Sequence, residues 1–424
     1  MSPSPTELLA TVLFGMAVLH TFCVKRFAHW AHQCPAGSVR ANLLHFLAET
    51  EVVFGLWAAT LFLGVAALQG SFDNAVKYIE GLNFTQPQFV FVIMVVAATR
   101  PVVNLAEWLI SLTARLIPVR ESAAFYIAAL ALGPLLGSFI TEPAAMTLLA
   151  LLLKRRYFDR FMSRRFAHAT LGLLFVNVSI GGTLTNFAAP PVLMVAGKWN
   201  WDLAFMLQNF GWRAAAASGV STIIVAAMFW QELSWVGVPR EEGRPTPVWL
   251  TALHVVFLAL VVAFAHHPSV FFGVFVLFLG LVTATREHQE ALKLREGLLV
   301  GLFLAGLVTL GSLQAYWLKP LIQSLNGDTL FFGATGLTAI TDNAALTYLG
   351  SLVEGLSDDL KYALVAGAVV GGGMTVIANA QNPAGYGILQ SAKVFEEEGI
   401  SPAGLFAGAL LPTVIAIVFF WLLR

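Results

Sequence analysis

The chain has 424 residues, of which 58% are hydrophobic and only 11% are charged, and its formal net charge is zero. Soluble domains contain about a quarter charged residues, so this composition predicts an all-α polytopic membrane protein instead. The lipid bilayer is therefore the expected environment, and the balanced charge gives no reason to expect a nucleic acid as a partner.

Apolar segments recur along the whole chain, and about 20 such residues suffice for a helix to cross a bilayer. We predict membrane segments at 6–23, 43–69, 88–112, 121–153, 167–197, 203–231, 248–265, 268–285, 296–317, 328–355, 360–391 and 402–423. Two of these, 121–153 and 328–355, are predicted to be re-entrant hairpins, which leaves about ten transmembrane helices.

The basic residues of the loops predict the orientation of the chain. Loops that we place in the cytoplasm hold 17 of the 24 Lys and Arg residues: 24–42, 113–120, 154–166, 232–247, 286–295 and 390–401. We therefore expect both termini on the non-cytoplasmic side of the inner cell membrane.

The two hairpins share a sequence. Ile140–Leu149 reads ITEPAAMTLL and Ile340–Leu349 reads ITDNAALTYL, with six of the ten letters in common. Segment 121–153 has basic loops at both ends but only 33 residues, whereas two full crossings need about 40. Segment 328–355 has acidic flanks, so we expect it to enter from the opposite side. Both acidic tips are predicted to lie at membrane depth, against protein or a water-filled cavity.

Each hairpin is followed by a membrane segment with a Gly-, Pro- and Asn-rich interruption, at 181–191 and at 371–385. Gly and Pro at this density end helices. The chain is thus predicted to form an inverted repeat of 1–231 and 248–424, joined by a cytoplasmic linker at 232–247. Inverted repeats with discontinuous helices are typical of secondary transporters.

Oxygen-bearing side chains at the tips and interruptions are candidates for binding a cation or a proton. The set comprises Ser138, Thr141, Glu142, Thr183, Thr185, Asn186, Thr338, Thr341, Asp342, Asn343, Thr375, Asn379 and Asn382. The alternative is that these residues are kinks whose hydroxyls bond to their own helix.

Asp342 and Glu142 are the leading candidates, because an ionisable residue inside a membrane is a functional hypothesis by default. A buried carboxylate can be neutralised by a proton or by a bound cation, and competition between the two is the minimal chemistry of an antiporter. Pro143 and Asn343 make the tips unequal, so we expect one ion-binding half and one more structural half.

Other intramembrane charges are candidates for buried ion pairs or for a proton path: Glu49, Glu51, Arg100, Glu107 and Arg213. Arg213 is expected to need a carboxylate partner. The chain contains no phosphate loop, GxSxG, HExxH or CxxC, so we expect no enzyme, no cofactor and no metal beyond a monovalent cation.

The tip Thr341–Ala345 (TDNAA) and the Gly-Gly, Asn and Asn-Pro pattern of the second interruption resemble the ion transporter superfamily. The chain looks most like the putative Na⁺/H⁺ antiporter family within it. The resemblance implies an elevator-type mechanism, often in a homodimer, in which the hairpins and broken helices move. Carboxylate-transporting members carry neutral Ser-Asn-Thr tips, whereas Glu142 and Asp342 are acidic, which favours cation/proton exchange.

Three hypotheses therefore stand. The first is a Na⁺ (or other monovalent cation)/H⁺ antiporter that works around Asp342 and Glu142. The second is a sodium-coupled transporter of an organic or inorganic anion, in which Arg213 or Arg100 would have to reach the cavity. The third is a membrane scaffold or receptor without transport, with dry hairpin tips.

Overall fold

The structure, a computed structural model, describes residues 3–35, 37–160, 162–235 and 246–424. Its regular structure is helical throughout these ranges, which confirms the predicted all-α class. Seven of the described helices are long and apolar enough to cross a membrane, or eight if the bent pair at 72–97 counts as one span. The number of spans and the inverted repeat stay predictions.

The first six helices precede the first hairpin. They are α1 (Pro5–His32), α2 (Val39–Leu47), α3 (Thr50–Gln69), α4 (Phe72–Glu80), α5 (Thr85–Ala97) and α6 (Arg100–Leu116). Two predicted spans, 43–69 and 88–112, are therefore interrupted. Helix α3 starts after Glu49 at its N-cap, and α6 starts next to Pro101, which cannot donate a helical hydrogen bond. Helix α4 lies in a segment that we predicted as a loop.

The first hairpin and the helices after it complete the first half of the chain. They are α7 (Glu121–Ile140), α8 (Glu142–Leu153), α9 (Arg164–Gly181), α10 (Pro190–Trp199), α11 (Leu203–Met206), α12 (Trp212–Met228) and α13 (Trp230–Trp235). The π-helix Lys154–Phe158 extends α8 beyond the predicted hairpin boundary at residue 153. Most of the predicted linker 232–247, residues 236–245, lies outside the described residues.

The remaining helices form the second half of the chain. Its helices are α14 (Val248–Ala263), α15 (Pro268–Ala284), α16 (Leu294–Gly311), α17 (Ala315–Gln323), α18 (Gly327–Thr338), α19 (Asn343–Ser351), α20 (Asp358–Gly371), α21 (Asn382–Gln390) and α22 (Pro402–Ile417). The predicted span 296–317 is shorter than expected, because α16 ends at Gly311 and the separate helix α17 follows. Loop residues cap several helix starts through their side chains: Ser163, Asn326, Ser357 and Ser401.

The two halves pack through an exchange of helices. In each half, the first hairpin arm lies along the helix before the interruption, α7 on α9 and α18 on α20. The helix after each interruption packs on the other half's hairpin, α10 on α19 and α21 on α8. This exchange brings the first hairpin tip close to the interruption of the second half, where Asn379 donates to Glu142.

Candidate functional site

Helices α7 and α8 form an antiparallel hairpin. A Cβ added at Gly137 would lie 3.2 Å from the Cβ of Ala145, and at the open end the Tyr157 hydroxyl donates to the Ser122 carbonyl at 2.6 Å. The turn between the arms is the single residue Thr141, with φ 71° and ψ 151°. A β-branched residue in this conformation is strained. The hairpin is therefore closed at its tip by a strained, buried threonine.

Glu142 follows Thr141 as the first residue of α8 and is fully buried. Its Oε2 accepts hydrogen bonds from Asn379 Nδ2 at 3.2 Å and from Gln381 Nε2, both of which belong to the interruption of the second half. On its other side the carboxylate lies against Gly182, where an added Cβ would be 2.3 Å from Oε1. The first tip thus places its carboxylate between the two interruptions.

Asp342 is the N-cap of α19, and its Oδ1 accepts a hydrogen bond from Ala345 N at 3.0 Å. Its backbone neighbour Asn343 donates through its amide N–H to the Ala378 carbonyl at 3.1 Å. Both tip carboxylates therefore lie at the N-terminal end of a helix, where exposed N–H groups favour negative charge.

Asp342 lines a small cavity of about 40 Å³, which we call the Asp342 cavity. About 10–15 Å³ is enough for one water, so this cavity can hold a small ion with some of its water. Four other polar residues line it: Thr21, Glu51, Thr341 and Asn379. Asn379 thus links the two acids, because it also donates to Glu142.

Buried oxygen atoms around the tips lack hydrogen-bond partners within the described part of the chain. They are Thr141 Oγ1, Glu142 Oε1, Thr338 Oγ1, Asn343 Oδ1, Asn379 Oδ1, Gln381 Oε1 and Asn382 Oδ1. Buried polar atoms are nearly always satisfied in proteins, so a cluster of exceptions needs an explanation. These oxygens are candidate ligands for a hard cation, and one of them belongs to Asn379, which lines the Asp342 cavity.

The polar residues of the first interruption are used differently. Ser138 Oγ donates to the Gly181 carbonyl at 2.8 Å and accepts from Leu184 N at 2.9 Å. Thr185 Oγ1 donates to the Ser138 carbonyl at 2.7 Å, and Thr183 bonds to its own helix at 2.6 Å. Ser138 and Thr185 therefore hold the first hairpin against its own broken helix. Of the three, only Thr183 bonds within its own segment, as in the alternative interpretation.

Two further predicted ligands also have structural partners. Asn186 donates to the Trp201 carbonyl at 3.1 Å and lines a separate cavity of about 80 Å³ with Gln86 and His266. The structure thus does not bring Asn186 to the tip carboxylates. Thr375 Oγ1 donates to the Ala339 carbonyl at 2.7 Å, which ties the second interruption to its hairpin.

A wider cavity of about 520 Å³, the vestibule, leads to the same region from one side. Thr141 and Gln381 lie at its inner end. Charged residues of the α2–α3 junction and the start of α16 also line it: Glu49, Glu51, Lys293, Arg295 and Glu296. Arg295 forms an ion pair with Glu49. The vestibule and the Asp342 cavity share Glu51, Ala380 and Pro383.

The other intramembrane charges lie apart from the tips. Arg213 is buried, but its Nη1 bonds to the Asn209 carbonyl at 2.5 Å, and its guanidinium lies over the Trp212 and Tyr362 rings at 4.6 and 5.7 Å. Backbone and aromatic groups thus take the place of the carboxylate partner that we expected. Arg100 and Glu107 are half-buried on α6, and neither lines the vestibule or the Asp342 cavity.

The sequence argument missed Gln381 and Ser179. Gln381 bonds to Glu142, and Ser179 Oγ lies 3.5 Å from Asn379 Nδ2. Gln381 lies between two predicted ligands, Asn379 and Asn382, so the polar density of that stretch could have indicated it. Ser179 lies in an apolar helix, and nothing in the local sequence distinguishes it.

A comparison with protein families identifies the family of the chain. No curated protein matches the chain. The profile of one family, described as putative Na⁺/H⁺ antiporter, matches residues 5–423. The match covers both hairpins, both interruptions and nearly all of the remaining chain, and it fits the apolar helices of a multi-pass membrane transport protein. The chain therefore belongs to the putative Na⁺/H⁺ antiporter family.

Proposed function

We propose that the protein exchanges a monovalent cation, most simply Na⁺, for protons. In this proposal the cation and the proton compete for the carboxylates of Asp342 and Glu142. The observation that carries this proposal is the meeting of the two acidic tips through Asn379, which lines the Asp342 cavity and donates to Glu142. The unpartnered oxygens around them supply the neutral ligands that a hard cation prefers.

Competition for the carboxylates couples the two fluxes. A cation in the Asp342 cavity would be held by the carboxylate of Asp342 and by nearby amide and hydroxyl oxygens, such as those of Asn379 and Thr341. Protonation of Asp342 removes the charge that attracts the cation, so a proton and a cation displace each other. Each direction of transport then requires that the site bind one of the two.

We further propose that the hairpins and broken helices move as one unit against the other helices, as in an elevator, within a homodimer in the inner cell membrane. The exchange of α10 and α21 between the halves supports a single moving unit, because each half contributes a helix that packs on the other half's hairpin. The loop charges support a cytoplasmic vestibule and non-cytoplasmic termini, since Lys293 and Arg295 line the vestibule mouth. The structure then represents an inward-open state.

The second candidate, sodium-coupled transport of an anion, has less support. Arg213 is engaged by backbone carbonyls and aromatic rings. The residues that line the Asp342 cavity include two acids and no Lys or Arg within the described ranges. An anion would therefore meet negative charge at this cavity.

Proton flux in proteoliposomes tests the proposal. We expect wild-type protein to dissipate an imposed pH gradient when Na⁺ or Li⁺ is added. Asp342→Asn should reduce this flux by at least about 100-fold, because it removes the only charge of that side chain but keeps a good N-cap for α19. Asp328→Asn is the matched control, since Asp328 lies at the base of the same hairpin and accepts a hydrogen bond from Trp421 Nε1 at 2.8 Å.

Two results would contradict the proposal. One is a wild-type protein without Na⁺- or Li⁺-dependent proton flux. The other is full flux in Asp342→Asn at the same protein density in the vesicles. Stabilisation by an anion that appears only with Na⁺ would instead support the second candidate.

A further inference from the structure

The vestibule and the Asp342 cavity share three lining residues, Glu51, Ala380 and Pro383. Only Glu51 among these has a polar side chain. A cation that passes from the vestibule to Asp342 must exchange water for protein oxygens, because much of the cavity wall is apolar. The apolar residues of that wall are Val18, Phe54, Phe303, Ile340, Val376, Ile377, Ala380 and Pro383.

We infer that Glu51, assisted by Thr21, forms a port through which the cation passes between the vestibule and the Asp342 cavity. This inference rests on the proposed function and adds a residue from outside the hairpins to it. Thr21 lines the cavity, and its hydroxyl donates to the Val18 carbonyl at 2.7 Å. That bond leaves the oxygen lone pairs of Thr21 available to a cation.

A separate observation supports a ligand site in the cavity. Asn379 is only 1% exposed and lines the cavity, and its Oδ1 has no hydrogen-bond partner within the described residues. An unsatisfied buried amide oxygen costs free energy unless something coordinates it. Asn379 and Asp342 thus line the cavity at the tip carboxylates, and Glu51 lines both the cavity and the vestibule.

Glu51 and Asp342 come from different groups of helices. Glu51 is in the first turn of α3, which packs on α1 and α16, whereas Asp342 caps the second arm of a hairpin. If the hairpins move during transport, Asp342 moves away from Glu51. The port would then act only in the state that the structure represents, and it would set the cation affinity on that side of the membrane.

Other charged groups surround Glu51 on several elements. Glu49 precedes it by two residues and is paired with Arg295 at the start of α16. Lys293 and Glu296 line the vestibule, and Asp342 faces Glu51 across the cavity. Glu49 is the natural control, because it lines the vestibule but not the Asp342 cavity.

The test compares Glu51→Gln, Glu51→Asp and Glu49→Gln in proteoliposomes, with Na⁺ added on the vestibule side. We expect Glu51→Gln to raise the Na⁺ concentration for half-maximal flux at least about ten-fold, because a carboxylate near a poorly hydrated cation interacts strongly with it. The maximal rate should fall by less than about three-fold, since Asp342 is unchanged, and Glu51→Asp should recover most of the affinity. Glu49→Gln should change the affinity by less than about two-fold, as expected for an exposed ion pair.

The possible results separate this inference from the proposed function. If wild type transports Na⁺ and Glu51→Gln has the same Na⁺ affinity as Glu49→Gln, the inference of a port is wrong. The proposed antiport is not contradicted by that result. If Glu51→Gln loses maximal rate and Glu51→Asp does not rescue it, Glu51 is structural and the port is also wrong. A wild type without Na⁺-dependent flux would overturn both ideas.

Discussion

The two hairpin-and-interruption regions begin from similar ten-residue sequences but use their polar atoms differently. In the first region, the hydroxyls of Ser138, Thr183 and Thr185 donate hydrogen bonds to backbone carbonyls of the fold. In the second region, the oxygen atoms of Asn343 and Asn379 are buried without partners in the described structure. The comparison teaches that a repeated motif can divide its work: three polar residues of the first copy close the structure, whereas the unpartnered oxygens around the tips are, within the described residues, Thr141 and Glu142 at the first tip and mostly amides in the second copy.

The residue after each acid explains part of this difference. Pro143 has no backbone N–H to donate, whereas Asn343 donates its backbone N–H to the Ala378 carbonyl at 3.1 Å. The second tip is therefore tied to its own interruption, and the first tip reaches across to the other half through Glu142. The first copy contributes its carboxylate to the second copy's site.

The largest effect on transport is expected from a substitution at Gly182, which lies against the Glu142 carboxylate in the first region. An added Cβ in Gly182→Ala would lie 2.3 Å from Glu142 Oε1, so the carboxylate must move. We expect about 100-fold loss of Na⁺-dependent proton flux, because small displacements of a positioned group have large effects. Overpacking should also lower the free energy of unfolding by about 1–3 kcal/mol.

Gly219→Ala is the control for this substitution. Gly219 is in α12, and an added Cβ there would meet no atom within 4 Å. Because alanine favours helix over glycine by about 1 kcal/mol, Gly219→Ala should keep its flux and unfold at the same or a higher temperature. Equal flux in the two variants would mean that the position of Glu142 does not matter for transport.

A smaller effect is expected from two fully buried asparagines, one in each half. Asn177 donates to the Leu130 carbonyl at 2.9 Å and to Thr222 Oγ1 at 3.1 Å, and accepts from Ser221 Oγ at 3.0 Å. The side chain of Asn343 has no such partners among the described residues. Asn177→Ala should therefore lower the free energy of unfolding by about 2 kcal/mol, and Asn343→Ala by less than about 0.5 kcal/mol.

The stabilisation by Na⁺ should depend on the two asparagines in the opposite order. Thermal unfolding in detergent, with and without Na⁺, measures both quantities in one experiment. We expect Na⁺ to stabilise wild type and Asn177→Ala to a similar extent, because ligand binding adds to the stability of the folded state. Asn343→Ala should lose most of that stabilisation. If Asn343→Ala instead destabilises the protein strongly without Na⁺, the residue is structural and the comparison between the two halves fails.

The smallest effect concerns the backbone of the two tips. Thr141 has φ 71°, whereas Thr341 is not among the described residues with positive φ. Thr141→Gly should relieve about 1–3 kcal/mol of strain. This relief exceeds the cost of about 0.5–1 kcal/mol for the freedom that glycine adds to the unfolded chain, so the unfolding temperature should rise. Thr341→Gly should lower stability by about 0.5–1 kcal/mol, since glycine only adds freedom to the unfolded chain there. The same sign for both variants would show that the first tip is not strained.

Much of the fold could be predicted from composition and periodicity. The all-α class, both tip sequences and both interruptions were correctly placed, because long apolar runs and dense Gly and Pro are local signals. The amphipathic helices α4 and α17 were missed since both are short and lie in segments that read as loops. The predicted spans 43–69 and 88–112 were drawn across the breaks at Glu49 and Thr99 because apolar residues flank both, although Glu49, Glu51 and Pro101 are local signals of an interruption.

The sequence by itself determined that the chain is a helical membrane protein with two acidic motifs and two broken helices. Only the tertiary structure decided which of the predicted ligands meet. Glu142 and Asn379 are 237 residues apart and become partners because α8 and α21 pack together. A pairing between halves leaves no periodic signal in the chain, whereas the cost of burying a carboxylate is already visible in its apolar surroundings.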